Sequence, residues 1–204
     1  LTPIAEDLAR VRAADTHEDI ADLMSDPSMG VRRPVAPSIY IDAKENDTHT
    51  IYLSQSGLGL PNRNSYFVDG ERAEAFRAGY VAFLTTMLSE AGVDNAAERA
   101  EAVMAFETAL AEGHWEPVKR RNRALTYNKM TMDELAELAP GMPWARIFDN
   151  LGLSGETDLV LREMSAIDAA ADVFAETSPE VMKDYLTVSL LSSNSAYLPK
   201  RIDD

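Results

Sequence analysis

Apolar residues recur along this chain at intervals of three and four, and alternate at intervals of two only over short runs. The first spacing gathers side chains on one face of a helix, the second on one face of a strand. Ile4, Leu8 and Val11 set out a first helix, and Thr16 with Asp19 three residues on caps a short second helix through Met24. Three prolines and a glycine between Asp26 and Pro37 predict a loop. Ile39–Ile41 and Thr50–Leu53 are strand-like, and the polar run Lys44–Asp47 turns the chain between them, so residues 38–54 predict a β-hairpin.

The clearest helix runs from about Gly70 to Ala91. Phe76, Tyr80, Phe83, Leu84, Met87 and Leu88 form its stripe, and Gly92 is placed to end it. A second runs from about Asn95 to His114, with Val103, Phe106 and Leu110 inward. Thr131 with Glu134 makes a capping box. Met142-Pro143-Trp144 opens a further helix that Gly152 closes, and Leu159–Leu161 suggests a short strand. Ser178 as N-cap and Pro179 at the first helical position open a last long helix to about Ser193. The pattern predicts a mainly α fold, a multi-helical domain with one small β-hairpin, without internal repeats.

Composition narrows the functions open to such a fold. With 204 residues, 46% hydrophobic and 26% charged, the chain can build a core and is not a disordered segment. Its 34 acids against 19 Lys and Arg give a net charge of −15, which argues against nucleic-acid partners and anionic membrane surfaces. The absence of cysteine removes disulfides and thiolate metal sites. No apolar run approaches the roughly 20 residues of a membrane span. The start, Leu1-Thr2-Pro3-Ile4, is not a signal peptide and carries no initiator Met, so the chain is expected to derive from something longer.

Candidate chemistry is sparse. A His-Glu-x-x-His zinc site needs two histidines one helical turn apart with the glutamate beside the metal-bound water. Of His17, His49 and His114, only His17 precedes a glutamate, and the second histidine position is Ala21. The three histidines are therefore expected at the surface. No Gly-x-Ser-x-Gly elbow occurs, and Gly57-Leu58-Gly59 lacks the frame and lysine of a phosphate loop and predicts a turn. Glu107, between Phe106 and Leu110, is close to the apolar stripe of its helix. A buried carboxylate must be paired or protonated. Arg120 and Arg121, just past the helix end, are the expected partners, in a structural ion pair rather than a catalytic acid. Trp115 and Trp144 are expected in the core or an interface.

Several separated segments nonetheless share one likeness. They are Gly57-Leu58-Gly59-Leu60-Pro61-Asn62-Arg63 with Tyr66; Phe106-Glu107-Thr108-Ala109-Leu110-Ala111; Arg120-Arg121 with Tyr127-Asn128-Lys129-Met130-Thr131, Leu135 to Pro140 and Trp144; and Tyr185-Leu186 with Ala196-Tyr197-Leu198. In this order and spacing, over residues 34 to 200, the chain resembles the N-terminal half of the neprilysin-like zinc metallopeptidases, the group of endothelin-converting enzymes and bacterial oligopeptidases. It departs at Asn64 and Ser65, where the family usually has an aspartate and a tyrosine, and at Asn122, where an aspartate commonly follows the two arginines. The resemblance implies a cavity-capping helical region that walls a substrate chamber for oligopeptides. It also implies that zinc and the catalytic residues belong to a C-terminal half beyond Asp204, so no catalytic or metal residue is carried to this chain. Further implications are a periplasmic or extracellular setting, peptide substrates, and self-association of the segment alone. The alternative is a stand-alone helical binding or regulatory module without peptidase activity.

Overall fold

The computed structural model describes residues 1–198; the last two positions of the family likeness, 199 and 200, lie outside them. Ten α-helices and four strands follow one another among these residues: α1 (Ala5–Ala13), α2 (His17–Ser25), β1 (Val35–Ile41), β2 (His49–Gln55), α3 (Asn64–Phe67), α4 (Glu71–Glu90), α5 (Ala96–Gly113), α6 (Pro117–Arg120), β3 (Asn128–Thr131), α7 (Met132–Leu138), α8 (Trp144–Asn150), β4 (Asp158–Leu161), α9 (Met164–Glu176) and α10 (Pro179–Ser193). The mainly helical reading holds.

Local chemistry explains most of the helix ends. Thr16 and Asp19 form a capping box at the start of α2, and Thr131 and Glu134 form another at α7. The Ser178 side chain accepts from Val181 N, with Pro179 in the first turn of α10. Gly92 and Gly152, at φ +74 and +69, follow the ends of α4 and α8.

The hairpin is part of a larger sheet. β1 and β2 pair antiparallel over Val35–Gln55, but β2 also pairs parallel with β4 (Ile51 opposite Leu159), and β4 antiparallel with β3, giving the order β1-β2-β4-β3. β3 was not expected: Asn128–Thr131 is too short and too polar to show a two-residue period. β4 is legible because it is covered on both faces, and Leu159, Val160 and Leu161 are all fully buried. β1 begins at Val35, inside the predicted loop, and contains Pro37. Asp42 N donates to Thr48 O, and Ser56 N to Pro34 O. Even-numbered residues of β1 therefore face β2, and Pro37 turns its missing N–H to the free edge, where proline is tolerated.

The core gathers around α10, which packs on α1, α2, α4 and α5 and buries Met182, Tyr185, Leu186 and Val188 through Leu191. α9, lying between α5 and β2, escaped the sequence reading. Its buried residues Ala166, Ile167, Ala170, Ala171 and Phe174 form a regular apolar face at helical spacing, carried largely by small alanines. The stripe on α4 needs correction. Leu84, Met87 and Leu88 are buried, whereas Phe76 is 53% and Phe83 36% exposed. A row taken at every fourth residue drifts by about 40° per step, so Phe76 stands about 120° around the helix from Leu88.

Gly141, between α7 and α8, lets two backbones meet. A Cβ there would lie 2.2 Å from the Ala171 carbonyl oxygen of α9. Gly141→Ala should cost about 2 kcal/mol, read as a lower urea midpoint. Gly155→Ala, where a Cβ meets open space, should leave the midpoint in place.

Candidate functional site

The chain leaving β2 between Gln55 and Arg63 is held almost residue by residue. Gln55 N donates to Glu163 Oε2 (3.0 Å), while the Gln55 side chain clamps the Trp115 backbone, accepting from its N–H (2.7 Å) and donating to its carbonyl (3.1 Å). Tyr185 donates its hydroxyl to Gly57 O (2.7 Å). Gly59 N donates to Glu107 Oε2 (3.1 Å), Leu60 N to the Tyr66 hydroxyl (3.1 Å), and Arg63 Nε to Ala111 O (3.3 Å). A Cβ at Gly59 would lie 1.7 Å from the Tyr80 hydroxyl, so only glycine fits there. The expected turn is thus a loop pinned from several sides.

Two carboxylates without solvent exposure do much of the pinning. Glu107 on α5 accepts at Oε2 from Gly59 N and the Tyr66 hydroxyl (2.7 Å). At Oε1 it accepts from the Tyr80 hydroxyl (2.9 Å) and Arg32 Nη1 (3.4 Å). Burial raises its pKa above the usual carboxylate value, against the opposing pull of Tyr66, Arg32, Tyr80 and Gly59. The same burial, with the nearby carboxylate, pushes the Tyr66 and Tyr80 phenols up, so both remain donors.

The cation beside Glu107 is therefore Arg32, not Arg120 or Arg121. Arg32 comes from the loop before β1, whose backbone is tied to α10 through Ser189 Oγ (2.6 Å). Arg120 is taken by the second buried carboxylate, donating from Nε to Glu163 Oε1 at 2.9 Å. Arg121 points to solvent. Sequence reasoning missed Glu163 because it sits just before α9, a helix that the sequence reading did not place, and missed Arg32 because nothing local marks a partner 75 residues away. Trp144 is buried, donates from Nε1 to Ala139 O (2.7 Å) and packs near Phe148. Tyr127, in the family-like run, donates to Asp42 Oδ1 (2.8 Å), and Asn128 Nδ2 donates to Leu161 O, which joins β3 to the hairpin and to β4.

The histidines do not all lie at the surface. His49 is exposed, and His17 is half-buried with Nε2 2.8 Å from Thr177 O. His114 is only 8% exposed, because the chain after α5 turns inward beneath the pinned loop. Burial pushes its ring down to about 4, opposed by a hydrogen bond to the Ser56 backbone. Its Nε2 is buried without a partner. His114 lines a pocket of about 180 Å³ whose walls include Gly57, Asn62, Arg63, Trp115 and Arg120. Among the described residues no three His, Asp or Glu side chains gather so as to hold a metal ion. The described residues therefore offer no ligand set for the zinc, which the resemblance assigns to the C-terminal half.

Comparison with known proteins decides the family. The model of peptidase family M13, N-terminal part, matches residues 1–204. The chain belongs to peptidase family M13, the neprilysin-like group. Endothelin-converting enzyme 1 of Bos taurus is 27% identical over 176 residues, covering 82% of this chain and 23% of that protein, and its Homo sapiens counterpart is 28% identical over the same share. The Mycobacterium tuberculosis zinc metalloprotease Zmp1, solved in complex with an inhibitor, superposes with a TM-score of 0.91 at 25% identity, over 99% of this chain and 31% of that one. PepO from Lactobacillus rhamnosis HN001 shares the fold, with a TM-score of 0.76 at 14% identity. The chain thus spans about a quarter to a third of the length of these relatives. The pinned loop, Glu107 and Arg120 all lie in segments that carry the family likeness.

Two expectations follow from this geometry. Glu107→Ala should lower stability by about 3 kcal/mol by stranding Arg32 and two phenols, and Glu107→Gln should also destabilise, because an amide nitrogen would face donors. Arg121→Ala should change the urea midpoint by less than about 0.5 kcal/mol equivalent. The second concerns pH. The unfolded His114 ring takes a proton near 6.5, the folded ring not until about 4. Its contribution to stability is therefore complete above pH 6.5 and is lost as pH falls toward 4, at no more than about 1.4 kcal/mol per pH unit. A stability–pH curve for His114→Gln should be flatter than the parent's over that window.

Proposed function

We propose that this chain is the non-catalytic N-terminal part of a zinc metalloendopeptidase that cleaves oligopeptides, and that it forms a wall of the substrate chamber. The observation that carries this reading is one of extent. Nearly the whole chain has the fold of one stretch of a zinc metalloprotease about three times as long, while its own sequence has no His-Glu-x-x-His pair. The zinc and the residues that activate water then belong to the C-terminal half of the same protein, which is its principal partner.

A wall acts by enclosure. Closing a site excludes bulk water and admits only substrates that fit, so a domain can set specificity without touching the scissile bond. Phe67, Val68, Phe76 and Phe83 around α3 and α4, with Ile39, Tyr40 and Ile41 on β1, are exposed apolar residues suited to contact with the remainder of the protein. The same surfaces would make the isolated segment self-associate. No helix among the described residues is long and apolar enough to cross a membrane.

The test compares the parent protein with and without this segment. Its loss should lower kcat/KM for oligopeptides by at least about tenfold, or admit larger unfolded substrates, with zinc still bound. Unchanged cleavage and size limits would favour a separate binding module. Zinc lost along with the segment, from a remainder that is otherwise folded, would mean that the segment supports the metal site rather than walls a chamber.

A further inference from the structure

α4 buries one flank and leaves another bare. Leu84, Met87 and Leu88 enter the core, while Ala75, Phe76, Gly79, Ala82, Phe83 and Thr86 are all exposed. At about 100° per residue these six fall within about 120° of arc, so they form one face on which threonine is the only polar side chain. Two phenylalanine rings in water on one helix face mark a contact surface. Gly79 stands between them, and a Cβ there would meet nothing within 4 Å. No contact within this chain therefore calls for a glycine, although a glycine inside a helix weakens it. What it supplies is a gap between two rings, where another backbone or ring can come close.

The face fits a second copy of itself. With two α4 helices antiparallel and crossing level with Val81, Phe83 of each copy stands opposite Gly79 of the other, and Phe76 opposite Thr86. Arg72 and Glu90 are the only charged residues of α4 within the same arc, one near each end, and they too come opposite each other, twice. The two helix dipoles then run in opposite directions, which also favours the pairing. An open groove of about 1000 Å³ beside Val68, Ala73 and Phe76 lies where the last turn of the other α4 would run. A foreign helix would need its own ring and gap at matching spacing, whereas a twofold axis supplies both from one sequence. The other exposed apolar run, on β1, has Pro37 at its free edge, which obstructs strand pairing.

We propose that this chain pairs with a second copy of itself through α4, antiparallel, with Phe83 of each copy seated in the gap at Gly79 of the other. The inference rests on the self-association expected of the segment under the reading above, and it names the surface and the register.

The test is sedimentation equilibrium of the 204-residue chain, which should show association that stops at two copies. Gly79→Leu should raise the dimer Kd at least about tenfold. In dilute, monomeric samples the same variant should raise Tm, because leucine favours the helix and its Cβ meets no neighbour. Those opposite effects separate a lost interface from a damaged fold. Phe83→Ser should raise the Kd at least about tenfold with circular dichroism unchanged, and Tyr40→Ser, on β1, should leave it in place. The chain has no cysteine, so Ser89→Cys takes a single spin label. Antiparallel pairing sets the two labels about 24 Å apart along the helix axis, and parallel pairing sets them side by side. A chain still monomeric at roughly 0.5 mM, a Kd unmoved by Gly79→Leu and Phe83→Ser, a dimer lost only with Tyr40→Ser, or labels side by side would overturn the proposal. Failure here with segment-dependent cleavage in the parent would remove the pairing and leave the wall. Pairing here with a dispensable segment would do the reverse.

Discussion

The arrangement of this molecule turns on one ionisable group placed where water cannot reach it. A carboxylate in the interior is costly unless donors surround it, and Glu107 collects four: the Gly59 amide, two phenols and a guanidinium. These donors come from four separate stretches of chain, the loop before β1, the loop after β2, α3 and α4, and the acceptor itself stands on α5. Each of these elements is thereby fixed in position with respect to α5. Because a missing donor would leave charge uncompensated, the network forms as a whole or fails as a whole.

Glu163 repeats the device on the far side of the same loop. It holds the end of β2 through Gln55 N and draws in Arg120 from α6. Between the two carboxylates the chain from Gln55 to Arg63 has little freedom left, although it belongs to neither a helix nor a strand. The glycines there answer to this crowding: Gly59 lies under the Tyr80 hydroxyl, and Gly57, at φ +97, passes Pro34 closely enough that a Cβ would lie 3.0 Å from its Cα. The pocket with His114 is a by-product of that rigidity. A mobile loop would collapse onto the buried imidazole, whereas a pinned one leaves a space with defined polar walls.

The sheet and α10 supply the rest of the frame. The parallel contact of β2 with β4 brings chain positions about a hundred residues apart into one register. It also encloses Leu159–Leu161 between covered faces, so the sheet works as a core layer more than as a hairpin on the surface. α10 then runs through the middle, with Tyr185 stacked edge-on against Phe106 at 4.9 Å and its hydroxyl on Gly57. A third carboxylate–arginine pair, buried Asp184 with half-buried Arg99 (2.6 and 2.7 Å), ties the same helix to the start of α5. The long net acidic surface is thus separate from the few charges that organise the interior.

What the sequence by itself determined is what depends on neighbours within a few residues. Capping boxes at Thr16 and Thr131, the Ser178-Pro179 start of α10, the glycine stops at Gly92 and Gly152 and the turn between β1 and β2 are local chemistry, and the mainly helical class follows from them. The burial of Glu107 was legible too, because helical phase is a short-range property. Its partners were not. Arg32 lies far away in sequence, and Arg120, nearer along the chain, is claimed by Glu163. The choice between two arginines for one carboxylate is made by which segments pack together. β3, the joining of the hairpin to β4, the exposure of Phe76 and Phe83, and the burial of His114 share that cause. Each depends on the placement of elements distant in the chain, and burial, which sets the cost of every unpaired charge and open lone pair, exists only once those elements have met.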